Sequence, residues 1–142
     1  EQAVDWVANW TFAEFEAGRP LILKQQEAPA LAMAMLAEIK DRQSDYLEYG
    51  AKALDGIFQL LNHYNEFGLF SEKEPSDIEF SAGIERLQLF GTYAIVAKLA
   101  KEFGKLPQEI EQEPAGWVLK EWAHMVEQNR YQENYARLST KK

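Results

Sequence analysis

The stretch "EFGKLPQEIEQEPAGW", residues 102–117, sets two prolines seven residues apart between two strongly apolar segments. Proline lacks an amide hydrogen and holds φ near −65°, so it suits the first turn of a helix and disrupts an interior. Gly104 therefore reads as the end of one helix, Pro107 as the start of a helix of about two turns, and Pro114 as the start of the last. Glu109, Glu111 and Glu113 lie where negative charge favours a short helix's amino end. The chain turns a tight corner here, with helix on both sides.

Working outward, residues 2–17 carry apolar groups almost all round a helical wheel, with Asp5, Asn9 and Glu16 as the consistent polar strip. So wide an apolar arc predicts a helix enclosed by its own core or covered by a partner. Trp6 and Trp10, one turn apart, read as core packing. Gly18-Arg19-Pro20 closes this helix, Gly18 as a C-terminal cap, and "LILKQQEAP" reads as a connector that could be extended. From Pro29 to about Phe67 the periodicity is helical, either one long bent helix or two helices broken near Gln43-Ser44-Asp45, with Ser44 as a cap, or near Gly50. "GLFSEKEPSD", residues 68–77, is the clearest loop and the best candidate for a mobile segment. A helix capped by Asp77 or Ser76 then runs to about Phe103. Its "LFGTYAIVAKLA" is apolar on nearly every side, which predicts the central helix of the fold, with Gly91 permitting close helix approach.

The 142 residues suit one domain over 1–142, and a hydrophobic content of 46% with 27% charged residues is that of a folding chain. No β-alternation of useful length appears. The expected fold class is all-α, a compact bundle of about five helices around a central apolar helix near 77–103. The formal net charge is −8. Residues 1–70 carry 11 acids and 5 bases, and residues 71–142 carry 12 and 10, so most of the excess lies in the first half. That balance disfavours nucleic acid and anionic membranes as partners. The run "LQLFGTYAIVAKLA" is too short for a membrane span and contains Lys98. The chain begins at Glu1 without methionine, which leaves room for trimming, and no signal-peptide pattern is visible. The expected location is cytoplasmic.

With no cysteine, disulfides and thiolate chemistry are excluded. Glu121 and His124 form an E-x-x-H, the spacing of helical di-metal sites. Those sites need a second such pair, and the other histidine, His63, has Leu60 at the matching position. No metal and no cofactor are expected. No Gly-rich phosphate loop, G-x-S-x-G or H-E-x-x-H motif occurs, and the expectation is a protein that is not an enzyme.

The last helix is the most informative. Val118, Leu119, Trp122, Met125 and Val126 share one face, which reads as its core side. That face turns polar at Asn129 and Glu133, so the helix is expected to leave the core after about residue 127. On the opposite side Trp117, His124, Tyr131 and Leu138 recur every seven residues, with Gln128 and Tyr135 beside them. Seven-residue spacing keeps side chains nearly in line, giving an aromatic seam that faces away from the core. Trp117, His124, Tyr131, Tyr135 and Leu138 are the candidate partner-binding residues, for a protein partner or for self-association.

"FGKLPQEIEQEPAGWVL", residues 103–119, resembles the pattern near the end of small tail assembly chaperones of tailed phages. In these a helix ends in an L-G-like step, a proline opens a short helix with an acidic-apolar pair such as Glu109-Ile110, and a second proline leads to a polar final helix. The likeness runs from Val96 to Tyr131. It implies a non-enzymatic helper that covers apolar helical surface of an extended tape-measure protein during assembly, with no catalytic residues. The competing expectations are an acidic regulatory or inhibitory protein acting as a charge mimic, and a small-molecule-binding helical protein using a pocket near His124, Glu121 or His63.

Overall fold

Thr11 divides the first apolar stretch. Its hydroxyl accepts the Glu14 amide hydrogen at 3.1 Å, and the Glu14 carboxylate accepts the Thr11 amide hydrogen at 3.0 Å. This reciprocal cap starts a new helix, so the single helix expected over 2–17 is two: α1, Ala3–Ala8, and α2, Phe12–Gly18. The break lets Val7, Trp10, Phe12 and Phe15 all enter one core, where a straight helix would spread them around its circumference. Trp10 is 1% exposed, and the half-buried Trp6 meets it edge-on at 5.2 Å. Gly18 is not a left-handed cap. A Cβ there would sit 3.0 Å from Leu36 and from Ile57, so its task is close packing. The following connector is not extended, for Leu21–Lys24 forms α3.

The computed structural model describes residues 2–69, 76–83 and 92–140, the side chains of Gln43, Glu79 and Phe80 excepted. Between residues 29 and 67 there are two helices, α4, Pro29–Ile39, and α5, Tyr46–Tyr64. They are separated by a left-handed Asp41 with φ 57° and a 3₁₀ turn at Gln43–Asp45. The break falls at the first of the expected places, but no side chain caps α5. The helix stays continuous through Gly50, where an added Cβ would strike the Met33 backbone of α4. At Gly56 it would strike Ala3 and Val7 of α1. Two glycines thus let two helices press onto α5, which also touches α3 and the last helix.

Among the described residues α5 is thus packed by α1, α3, α4 and the last helix, while the segment 77–103, expected to be central, is described only at its two ends. Residues 84–91, including Gly91, lie outside the described residues, as do 70–75 of the expected loop. In the described part, α6, Asp77–Ser81, is followed by Gly83 at φ 88°, and α7 spans Tyr93–Phe103. Only Val96, Leu99 and Ala100 of α7 are buried. Among the described residues no strand forms beyond one isolated bridge between Thr11 and Pro114, and the fold is an all-α bundle.

The corner follows its punctuation. Gly104 at φ 64° closes α7, Pro107 opens α8, Pro107–Glu111, and Pro114 precedes α9, Ala115–Ser139. The Glu109 carboxylate accepts the Leu106 amide hydrogen at 3.0 Å, and Lys105 reaches Glu113 at 2.6 Å. Two further backbone bonds tie the corner to the α1–α2 break. Phe12 N–H donates to the Glu113 carbonyl at 2.9 Å, and Ala115 N–H to the Trp10 carbonyl at 2.6 Å. With Ile110 fully buried beneath it, the corner fixes where α9 begins and the direction in which it leaves.

Candidate functional site: the outer half of the last helix

Helix α9 has two unlike halves. Ala115, Val118, Leu119, Trp122 and Ala123 are buried, Met125 and Val126 are half-buried, and every residue from Glu127 to Thr140 is exposed. At 1.5 Å per residue, the outer half extends about 20 Å beyond the core. Tyr131, Tyr135 and Leu138 are 69%, 64% and 62% exposed. The two tyrosine rings lie side by side, 6.2 Å between centroids and tilted by 34°. They occupy positions i and i+4 of one stripe that Leu138 continues at i+7.

Trp117 does not belong to that open stripe. It is half-buried, with its ring 5.1 Å from that of Phe103. The turn at Gly104 folds the end of α7 back over the root of α9 and covers the side that the seven-residue spacing alone left outward. His124, one heptad further on, is exposed.

His124 also lines a groove of about 380 Å³ at the base of the stripe. Its walls are Lys120, Ala123, His124 and Glu127 of α9, with His63, Tyr64 and Phe67 from the end of α5 and the following turn. His63 stands edge-on to Tyr64 at 4.8 Å, and partial burial raises the Tyr64 phenol above its usual range. Beside the groove, Arg130 donates to the Phe67 carbonyl at 3.3 Å and to Glu127 at 3.0 Å. His63 and His124 lie 61 residues apart in the sequence. The two share this groove because α5 and α9 cross there, and no local signal carried that contact. Among the described residues no three ligating side chains converge as a metal site would require.

Charge divides along the same line. Residues 127–142 hold Glu127 and Glu133 against Arg130, Arg137, Lys141 and Lys142, a net +2, which leaves −10 on residues 1–126 of a chain whose total is −8. A basic terminal segment thus follows an acidic body. Among the described residues no helix is long and apolar enough to cross a membrane. Comparison with protein families, with curated proteins and with solved structures gives no match for this chain.

Proposed function

We propose that this chain is a non-enzymatic interaction or assembly protein that covers apolar helical surface on another protein, in the manner of a phage tail assembly chaperone. The observation that carries this reading is the stripe Tyr131, Tyr135 and Leu138, held outward on a helix whose other half is spent on the core. Burying a large apolar side chain contributes about 1.5–3 kcal/mol, and here that gain is unused within the monomer. Tyrosines suit such a role, since they offer wide contact area with few rotatable bonds. An amphipathic helix on the partner would meet this stripe with its own apolar face.

The test is an aggregation assay with a synthetic Leu-rich amphipathic helical peptide as client, followed by light scattering. The native chain is expected to suppress scattering at near-stoichiometric ratio. The doubly substituted Tyr131→Ala, Tyr135→Ala chain is expected to lose that effect while keeping its helical circular dichroism. Equal suppression by both proteins contradicts the reading.

A further inference from the structure

We infer that the outer half of α9 and the groove at its base form one self-complementary face, occupied in solution by the α9 of a second copy running antiparallel. The inference rests on the reading above that the stripe is a contact surface, and it names the partner. Each copy carries both halves of such a contact, an aromatic stripe at Tyr131, Tyr135 and Leu138 and an apolar groove beside His124. His124 belongs to both, since it lines the groove and precedes Tyr131 by one heptad. A surface that carries its own complement closes as a two-fold dimer in which each stripe seats in the other copy's groove.

Charge selects the antiparallel sense. The bodies, at −10 each, repel when brought side by side, whereas antiparallel helices hold them at opposite ends of the contact. The same sense sets the basic terminal segment of one copy, net +2 over residues 127–142, along the acidic body of the other. Parallel pairing would set each of these charges against its own copy. Gln132, Asn134 and Ser139 beside the stripe are uncharged and oppose neither approach. The register that brings Tyr135 level with the second copy's His124 also pairs Tyr131 with its Gln128. That is the a-to-d alternation of antiparallel helices.

Sedimentation equilibrium over a range of protein concentrations tests the pairing, together with a spin label on Ser139→Cys, in a chain that has no other cysteine. The expected mass rises from monomer to dimer with concentration, and Tyr135→Ala raises the dissociation constant at least about tenfold. In the antiparallel register the labelled residues lie about 28 Å apart along the axis; in a parallel pair they lie within about 10 Å. A monomer at every concentration, a dimer indifferent to Tyr135→Ala, or labels at the short distance each overturns the inference. A monomer that still suppresses aggregation of the helical peptide overturns the dimer alone and leaves the proposed function standing. A dimer that never suppresses it does the reverse.

Discussion

Thr11 shows how one side chain redirects a fold. Its hydroxyl and the Glu14 carboxylate cap each other's amides, and Glu14 also receives Lys40 at 3.0 Å. Thr11→Ala removes one half of the cap and is expected to cost about 0.5–2 kcal/mol in urea unfolding. Partial burial pushes the Glu14 carboxyl up, but the Thr11 amide and the Lys40 ammonium outweigh it and hold the group below the usual glutamate range. Because the folded value is depressed, the stabilisation is present above the unfolded value and fades as pH falls through the folded one. Unfolding free energy measured across the acid range should therefore fall less steeply for Glu14→Gln than for the native chain. The T-x-x-E signature that specifies this cap stands plainly in the sequence. The apolar wheel of residues 2–17 hid it, since periodicity counts faces and overlooks a two-residue break. Gly56 was readable only in part: a helical glycine signals a cost, and the structure supplies the reason in the crossing of α1. Gly56→Ala should destabilise by about 1–3 kcal/mol through the resulting overlap.

Among the elements, α9 joins a structural half to a spare one, and the two halves should respond differently to substitution. Trp117→Ala removes a ring packed on Phe103 and is expected to cost about 2 kcal/mol or more. Tyr131→Ala and Tyr135→Ala should each change the stability of the dilute monomer by less than about 0.5 kcal/mol, measured by the same denaturant titration. The corner at 104–114 could be read from its punctuation, because Gly and Pro constrain the backbone directly and need no tertiary contact to do so. The exit of α9 from the core could be read from its polar turn at Asn129. The packing around α5 could not. Apolar richness says that a segment seeks burial, but not that Gly50 and Gly56 admit neighbouring helices onto α5 on two sides. Trp117 was misplaced for the same reason, since covering it depends on where α7 ends in space.

For the whole molecule, the division into an acidic body and a basic projecting helix could be counted from residue order, while the groove at their junction could not, because it arises where α5 and α9 cross. Among the described residues the outer half of α9 is exposed throughout and meets the body where Arg130 reaches Phe67. Helices of this length without tertiary packing are marginal in water. If the outer stripe exists to be covered, its backbone should be stable only when something covers it. Hydrogen–deuterium exchange along α9, followed as protein concentration rises, measures this directly. The amides of 119–126 should be protected throughout. Those of 127–139 should exchange quickly in dilute solution, and slow as copies meet or as a helical client is added. Outer amides as slow as the inner ones in the dilute monomer, or equally fast under every condition, would contradict a stripe kept for contact.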